Sequence, residues 1–452
     1  MYRLRTLTAI TAVGALLAVA ACGSGGSGGG SGPKPATAIP ASAFKARPID
    51  TWDNAGVTVD PATLKCSGKA PNPTRGITDT SVKVGGLGYL TSPSGSSMAG
   101  SDVGAMVRFQ RANDTGGVNG RKIDFIGMKD DGGDPGIDAT QAHILAQQDQ
   151  VFAVVPLLSG SANYLDTFCR EIVPFFGWAT NDGFCKNAIG FGFSGCLTPD
   201  PDPSKRIDST TWGMLMRSLF KEATSKTIAV VGQDIDSSRI GVKGTAHLAT
   251  LSGDKVVYQE SPIPATGLTD PTPVVNALMT SNHGQPPDVI TVALDFTTTV
   301  KLTEALRAAG FKGIFISTAT YDPRLTSFAA LDGTQTLLQF APTEAATPGI
   351  AQLKADFAKY APKQVLSLSA LAGYWSADLF LSVLAKTGRN LTVDSFLNSA
   401  NSGFTHSVEG ALPETQWPLN HVVSVPCAAL VELKDKKYVE TVKASCASLI
   451  KP

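Results

Sequence analysis

Residues 81–135 decide how this chain folds, and they read SVKVGGLGYLTSPSGSSMAGSDVGAMVRFQRANDTGGVNGRKIDFIGMKDDGGDP. They begin with an apolar run at 82–87, pass through a loop rich in Gly, Ser and Pro, and continue with apolar residues at helical spacing from Val103. The Asn and Gly residues within 113–117 end this helix, because both accept the left-handed backbone of a helix end. A second strand is predicted at 122–128. The stretch therefore predicts a βαβ unit, in which a right-handed helical crossover joins two parallel strands.

The same alternation of strands and helices continues along the chain. Further strands are predicted at 151–158 and 175–179, and the pattern starts again with a helix after residue 209. The second series contains strands at 227–231, 255–260, 289–294 and 313–317. This order predicts an α/β fold with two Rossmann-like lobes, each built on a parallel sheet that helices cover on both faces.

The amino terminus has the features of an export signal. Two arginines within the first five residues precede an apolar run at 9–21, which is too short to span a membrane comfortably, and small residues precede Cys22. We predict a signal peptide at 1–21. A Cys directly after the cleavage site resembles a bacterial lipobox, which implies that the Cys22 thiol carries a lipid; an ordinary signal peptide cut nearby is the alternative. The Gly/Ser run at 23–32 is typical of a flexible tether.

The composition is typical of a soluble exported protein. Lys plus Arg and Asp plus Glu both number 38 in the 452 residues, and loss of Arg3 and Arg5 with the signal leaves two more acidic than basic residues. This balance predicts no nucleic-acid partner, and no second long apolar run predicts a membrane span. The length allows two or three domains.

The stretch 81–135 resembles the opening of type I periplasmic binding proteins, in particular the leucine/isoleucine/valine-binding branch that serves ABC importers. The resemblance rests on the helix end NDTGGVNGRK at 113–122, followed one strand later by Asp130-Asp131 and Asp134-Pro135. It continues through the helix at 366–377 to the predicted closing strands at 422–425 and 429–433.

The family's two-lobed architecture, with its multi-crossing hinge, implies where the domains lie. Crossings between the lobes are expected near Pro203, Pro342 and Gly410. The architecture implies lobe I at 77–206 with 343–410 and lobe II at 207–342 with 411–452. The residues before them are predicted to form the signal peptide at 1–21 and, at 22–76, a lipidated Cys, a tether and an N-terminal extension packed on the first lobe, which the family core does not require.

The resemblance also implies a function. It predicts a lipid-anchored solute-binding protein on the extracytoplasmic face of the bacterial membrane, whose partners are a small-molecule ligand and an ABC permease. The expected ligand is a small polar molecule, such as a branched-chain amino acid, an amide or a related organic acid, held in the cleft between the lobes. The alternative is a ligand-sensing receptor subunit on the same scaffold, which signals to a membrane partner.

Sequence motifs of enzymes are not found in their structural setting. Residues 86–91 fail the dinucleotide-binding pattern GxGxxG at its last position, no GxSxG sequence follows a predicted strand, and no HExxH or GxxxxGK[ST] sequence occurs. The five histidines are scattered without the spacing of metal ligands. We therefore expect no enzymatic activity, no cofactor and no metal.

Candidate ligand-binding residues follow the predicted strands, because open α/β sheets bind ligands at the carboxyl ends of their strands. In branched-chain amino-acid binders, hydroxyl residues of the first lobe hold the ligand carboxylate, and acidic and aromatic residues of the second lobe hold its ammonium. The matching first-lobe residues are Ser159, Ser161 and Thr180, and the second-lobe candidates are Asp236, Asp295 and Tyr321. Tyr89 and Gly160 complete the candidate set, because they lie in the loops that follow predicted strands of the first lobe. The hydroxyl and acidic residues can equally cap helices, and the tyrosines can pack at the edges of the cleft.

The loop after the first strand of the second lobe departs from the family pattern. Where the family usually has Asp-x-Tyr-Gly, residues 236–241 read DSSRIG. An aromatic wall is lost and Arg239 is gained. This change disfavours a branched-chain amino acid and favours an anionic or amide ligand.

Six cysteines remain after Cys22 is set aside, and an even number in an exported protein predicts three disulfides among the 15 possible pairings. We predict that Cys427 pairs with Cys446, because the two flank an apparent terminal strand pair. The remaining predicted pairs are Cys169 with Cys185 and, by elimination, Cys66 with Cys196.

Overall fold

The computed structural model describes residue 39 and residues 41–451, except for 94–96, 199, 201, 203 and 222–224. The predicted signal peptide, the lipidated Cys22 and the Gly/Ser tether lie outside the described residues.

The strands are numbered in chain order. They are β1 (Arg47–Pro48), β2 (Ser81–Gly88), β3 (Lys122–Asp130), β4 (Ala153–Leu158), β5 (Phe175–Gly177), β6 (Gly190–Gly192), β7 (Asp208–Ser209), β8 (Thr227–Gln233), β9 (Lys255–Ile263), β10 (Val289–Ala293), β11 (Ile314–Ser317), β12 (Gln335–Leu338), β13 (Phe404–Val408), β14 (Leu412–Trp417), β15 (Cys427–Lys434), β16 (Lys437–Cys446) and β17 (Leu449–Ile450).

The α-helices are α1 (Ser101–Asp114), α2 (Pro135–His143), α3 (Leu165–Glu171), α4 (Thr211–Phe220), α5 (Asp236–Leu251), α6 (Thr272–Met279), α7 (Phe296–Ala308), α8 (Pro348–Tyr360), α9 (Leu368–Thr387) and α10 (Val393–Asn401). A π-helix continues α2 at Ile144–Gln148. Short 3-10 helices lie at Ala41–Phe44, Pro61–Thr63, Asp182–Phe184, Pro323–Ser327, Ala329–Leu331 and Leu419–His421.

One sheet contains five parallel strands in the order β3–β2–β4–β5–β6. Its central strand β4 is buried along its whole length. The helices α1 and α9 pack so closely that a Cβ built at Gly104 would lie 1.9 Å from the carbonyl oxygen of Ala370, and one at Gly373 would lie 1.9 Å from that of Ser101. Only glycine permits this approach. Helix α9 has the length and apolar composition of a membrane span, yet it is mostly buried in the protein, against α1, β4 and β5.

The other sheet contains eight strands in the order β1–β16–β15–β12–β11–β10–β8–β9. Its neighbours from β12 to β9 are parallel, and those from β1 to β12 are antiparallel. Alternate residues of β8 face opposite sides, as a strand requires. Ile228 and Val230 pack in the cluster that contains residues of α4 and α5, whereas Ala229 and Val231 pack in the cluster with α6 and α7. Apolar side chains thus cover this sheet on both faces.

The predicted fold class is confirmed, because two sheets with parallel strands and covering helices are present. The chain passes between the two sheet regions after β1, after β6, after β12 and after β14. Gly410 lies in the turn between β13 and β14, so the last passage follows this hairpin. In the passage after β14, Val425 donates its N–H to the carbonyl oxygen of Ser194, 2.8 Å away. Ser194 lies in the passage after β6, so this hydrogen bond joins the two passages.

The expected strand at 422–425 is wrong. This segment forms only one bridge, between Ser424 and Gly195, and the antiparallel pair of the terminus is β15 with β16. Pro426, which follows the segment, has no N–H to extend a ladder.

The disulfides confirm one predicted pairing and correct two. Cys427 is bonded to Cys446, and the two residues are direct partners in the β15–β16 ladder. The predicted Cys169–Cys185 and Cys66–Cys196 pairs are wrong, because Cys66 is bonded to Cys169 and Cys185 to Cys196.

Local backbone contacts explain the two corrected pairs. The N-terminal extension runs beside residue 186, where Lys65 donates its N–H to the carbonyl oxygen of Lys186, and this path brings Cys66 to α3. Cys185 and Cys196 lie on either side of β6, and the neighbouring backbone of both docks onto the 3-10 helix at Leu419–His421.

The N-terminal extension contacts both sheet regions, whereas the sequence predicted packing on the first lobe alone. Strand β1 forms the edge of the eight-stranded sheet and pairs with β16. Trp52 is buried beside the Cys427–Cys446 pair and donates Nε1–H to the carbonyl oxygen of Glu414, 2.8 Å away. Near its end, buried Arg75 donates to three backbone carbonyl groups around β4 and α3.

We predict that the Cys66–Cys169 disulfide contributes more stability than the Cys185–Cys196 disulfide. The first closes a separation of 103 residues and the second a separation of 11. Because the longer loop loses more entropy on closure, its removal in a Cys66→Ser/Cys169→Ser variant should lower the free energy of unfolding by about 2 kcal/mol more than removal of the shorter one. Urea unfolding of both double variants measures this difference. Equal losses, or a larger loss for Cys185→Ser/Cys196→Ser, would contradict the prediction.

Candidate ligand-binding site

The carboxyl ends of the two sheets come together around Tyr89, which directly follows β2. Asp131 follows β3 in the same sheet, and Asp295 follows β10 in the other sheet. Burial raises the pKa of Tyr89 well above its usual range, and the charges of Asp131 and Asp295 raise it further. The phenol therefore keeps its proton, and both carboxylates lie within electrostatic reach of it. This junction of loops is the candidate site.

A second contact joins the ends of the two sheets. Trp178 follows β5, Gln339 follows β12, and the indole Nε1–H donates to Gln339 Oε1 over 2.5 Å. The rings of Phe193 and Phe340, next to these loops, lie 6.0 Å apart. The ends of both sheets are thus in direct contact on this side of the site.

Two of the candidate hydroxyls are bonded inside the protein. The Ser161 hydroxyl donates to Asp138 Oδ2 at 2.8 Å, and the Tyr164 N–H donates to the same oxygen at 3.1 Å. Ser159 Oγ accepts the N–H of Ser161 at 3.3 Å. Asp138 reaches these groups from the first turns of α2. The loop between β4 and α3 is therefore organised by an acid on another helix.

Asp131 and Asp138 are buried carboxylates without a cation. Both side chains are 0% exposed, and neither forms an ion pair within the part of the chain that the structure describes. Burial raises the pKa of Asp138 to about 6; the Ser161 hydrogen bond opposes this rise, and the charge of Asp131 adds to it. Burial also raises the pKa of Asp131, and the Gly133 N–H opposes that rise. Asp131 Oδ2 and Asp138 Oδ1 have no hydrogen-bond partner among the described residues.

Gly160 and Thr180 are the open positions of the five-stranded sheet. No atom of the described residues lies within 4 Å of a Cβ built at Gly160, so its Cα faces open space. Thr180 is partly exposed, and within the described residues its hydroxyl has no hydrogen-bond partner. A ligand could reach both positions without displacing an internal contact.

Asp295 is held in place by the eight-stranded sheet. It is the N-cap of α7, where Oδ1 accepts the Thr298 N–H at 2.8 Å. Gln233, at the end of β8, donates its amide to Asp295 Oδ2 at 2.7 Å and accepts the Asp295 N–H at 2.8 Å. These bonds fix the carboxylate beside Tyr89.

Asp236 and Arg239 form an exposed ion pair. Asp236 lies in the first turn of α5 but does not cap it, and its carboxylate accepts a hydrogen bond from Arg239. Arg239 also pairs with Asp234, and both acids raise the pKa of the guanidinium. The positive charge gained in this loop is therefore neutralised on two sides.

Tyr321 lies in the loop between β11 and β12. It is 2% exposed, its hydroxyl accepts the Thr343 N–H at 2.8 Å and donates to Glu344, and its ring packs edge-on against Tyr438. All of these partners are structural, so Tyr321 ties its own loop to the passage segment.

The comparisons with known proteins follow this geometry. A family model described as periplasmic binding protein matches residues 81–437. The chain belongs to the periplasmic binding protein family. Membership implies a small-molecule ligand, an ABC transporter as partner and an extracytoplasmic location, and it describes solute-binding proteins that are not enzymes. The family predicted from 81–135 is confirmed. No curated protein matches the chain.

Solved structures show the same fold. A fatty acid ABC transporter substrate-binding protein from Thermomonospora curvata is 20% identical, with a TM-score of 0.62 over 83% of this chain and 96% of that chain. A branched-chain amino acid transporter substrate binding protein from Streptococcus pneumoniae, in complex with isoleucine, is 17% identical, with a TM-score of 0.62 over 82% and 100%. A solute binding protein from R. palustris, in complex with benzoate, is 17% identical, with a TM-score of 0.61 over 82% and 98%. At these identities the similarity concerns the fold of the binding protein.

Sequence reasoning selected strand-end loops of this binding protein but missed several of the residues that organise them. Trp178, Gln233 and Gln339 were not singled out, although each ends or follows a strand. Asp138 was also missed, because it lies in a helix that precedes the Ser159 loop by a full strand. A signal in the sequence could have revealed Asp138. It is an acidic residue at a helix position that faces the protein interior, near the end of a strand. Contact between any of these residues and a ligand stays a prediction.

We predict that Asp138→Asn increases stability in a pH-dependent way. The folded protein binds a proton at Asp138 more tightly than the unfolded chain does, so wild-type stability falls as pH rises from about 4 through about 6. Above that window the carboxylate is ionised in both states, and a shift of about two units corresponds to about 3 kcal/mol. Asn keeps an oxygen for Ser161 and Tyr164 and carries no charge. The variant should therefore gain up to about 3 kcal/mol at about pH 7.5, and clearly less at about pH 4.5.

Urea unfolding at both pH values measures the gain, with Asp182→Asn as the matched control because Asp182 is exposed. The control should show no such growth of stability with pH. A gain that does not depend on pH, or a loss at the higher pH, would show that burial of the Asp138 charge is not costly.

Proposed function

We propose that this binding protein captures a small polar molecule between the carboxyl ends of its two sheets and delivers it to an ABC permease. The observation that carries the proposal is the meeting of strand-end loops from both sheets around Tyr89, with Gly160 and Thr180 open beside it. Parallel α/β sheets bind ligands at this edge, because helix amino termini there present unpaired N–H groups. Asp295, at the start of α7, supplies a fixed acceptor on the opposite side.

The mechanism that we propose is capture by closure. The predicted lobes, at 77–206 with 343–410 and at 207–342 with 411–452, would rotate about the segments that pass between the sheets. A ligand that contacts both lobes favours the closed form, and the permease would recognise that form. The links from Trp178 to Gln339 and from Tyr321 to the passage after β12 support a hinge on this side of the site.

The ligand is expected to be a small organic molecule. The solved relatives described above are named for a fatty acid transporter or bound to isoleucine or benzoate. The scaffold therefore accepts ligands of different chemistry in different members, and the side chains of this chain must decide its own ligand.

We further propose that Cys22 carries a lipid and that 23–32 tethers the folded part to the outer face of the cell membrane. Cys22→Ala removes the thiol to which the lipid would be attached. The variant should move from the membrane fraction to the soluble or secreted fraction, which immunoblotting of fractions measures, and mass spectrometry of the wild-type N-terminal peptide should show the lipid mass. Retention of the variant in the membrane fraction would remove the anchor from the proposal.

The capture site is tested by a stability screen with Gly160→Val. Wild-type protein should be stabilised by at least one compound in a panel of amino acids, amides, amines, organic acids and sugars, by about 2.7 kcal/mol at a hundredfold excess over its dissociation constant. A valine side chain at Gly160 meets open space in the free protein, so the variant should fold normally, but it occupies volume at the site and should weaken binding at least about tenfold.

Gly68→Val is the matched control. Gly68 also has open space around a built Cβ and an ordinary backbone conformation, and it lies in the N-terminal extension. Its ligand affinity should equal that of wild type. Unchanged affinity in Gly160→Val would place the ligand elsewhere in the protein. If no compound of the panel stabilises wild type or the Gly68→Val control, the proposed function is removed for these ligand classes.

A further inference from the structure

The hydrogen bonds of the loop at 159–161 indicate the charge of the ligand. This inference rests on the proposed function, and it narrows the class of ligand. We propose that the ligand presents a cationic group or a hydrogen-bond donor, and not a carboxylate, to the loop at 159–161, and that Asp138 determines this selectivity.

The first step concerns the proton of the Ser161 hydroxyl, which is already donated inside the protein. A serine hydroxyl has one proton to donate, and an ionised carboxylate can only accept. The proton of Ser161 is donated to Asp138 Oδ2 over 2.8 Å. A ligand carboxylate at this loop would need the same proton, and Asp138 already holds it. The Ser161 hydroxyl can therefore offer a ligand only its lone pairs, which suit a donor.

The second step is the charge behind the loop. Asp138 and Asp131 are fully buried, and each has an oxygen without a hydrogen-bond partner among the described residues. Arg and Lys side chains of those residues form no ion pair with either acid. In the low dielectric of the protein interior such charges are weakly screened. They repel an anion at the loop and attract a cation.

The third step is the charge on the opposite side of the site. Arg239, near the start of α5, is the basic residue gained after β8, and it would be the natural partner of an anionic ligand. It is paired with Asp234 and Asp236. Asp295, fixed beside Tyr89, adds a further negative charge. Arg239 thus offers no unpaired charge to a carboxylate, which removes the reason that it gave for expecting an anionic ligand.

Ligands that fit this arrangement carry an ammonium, amidinium or guanidinium group, or a primary amide, at the end that meets the loop. Pairs of compounds that match in shape and differ in charge provide the test. Benzylamine is compared with benzoate, and isoleucinamide is compared with isoleucine. Isothermal titration calorimetry of the whole folded protein measures the affinity for each compound.

Wild-type protein should bind the amine of each pair at least about tenfold more tightly than its carboxylate counterpart, because a hydrogen bond to a charged group distinguishes them by that order. Asp138→Ala removes the buried charge and frees the Ser161 hydroxyl. Its affinity for benzoate and isoleucine should rise at least about tenfold over wild type, and its affinity for the amines should fall. Asp182→Ala, at an exposed position, should behave as wild type.

Asp138→Asn separates charge from hydrogen bonding. Its amide oxygen can still accept from Ser161, so it should lose the preference for amines without the full gain of carboxylate binding. It also serves as the variant of similar shape if Asp138→Ala folds poorly.

Tighter binding of benzoate and isoleucine by wild type would overturn the inference and leave the proposed function intact, as would an amine-to-carboxylate ratio that neither Asp138 variant changes. Failure of every compound to bind wild type and variants alike would overturn both this inference and the proposed function for these classes.

Discussion

Parallel pairing is the constraint on which this structure depends. Strands that run in the same direction end at the same edge, so residues far apart in the chain are collected there by topology alone. Tyr89, Asp131 and Ser159 meet at one such edge because β2, β3 and β4 are parallel neighbours. Gln233 and Asp295 meet at the other for the same reason. The position of the site follows from the direction of the strands, and only its chemistry is left to individual side chains.

Several covalent and hydrogen-bonded links lie near the segments where the chain passes between its sheets. Cys185–Cys196 lies next to one passage, and Cys66–Cys169 and β1 fasten the N-terminal extension to both sheet regions. Tyr321 bonds the loop after β11 to the passage after β12. The proposed hinge would limit motion to a few backbone torsions in these passages. Relative rotation of the sheets would then change the site more than it changes either core.

Much of the fold could be predicted from the sequence, because β4, β8 and β10 are apolar runs of ordinary strand length. The strands β6 and β12 could not be predicted, because segments of three or four residues, such as GFG in β6, are too short to show a hydrophobic periodicity. Pairing of Cys66 with Cys169 depends on the path of an extension that no periodicity describes. The candidate site divides in the same way. The strand-end loops were predicted from their place after strands, whereas the partner of Ser161 is an acid 23 residues earlier in the chain. Likewise, Tyr321 follows a strand as expected, yet its hydroxyl is used in the interior.

Asp138 shows how a site can depart from its scaffold through one buried group. Burial of a carboxylate without a cation costs free energy, and its two donors, Ser161 and the Tyr164 N–H, would be satisfied equally by a neutral oxygen. Within the described residues, the negative charge itself therefore has no structural use. The charge acts at the loop between β4 and α3, where the Asp138 carboxylate accepts the hydrogen bond of the Ser161 hydroxyl that a carboxylate ligand would need. In the proposed site, a hydroxyl loop of the kind that holds a carboxylate in branched-chain amino-acid binders would instead receive a hydrogen-bond donor, and the side chain of Asp138 would make the difference.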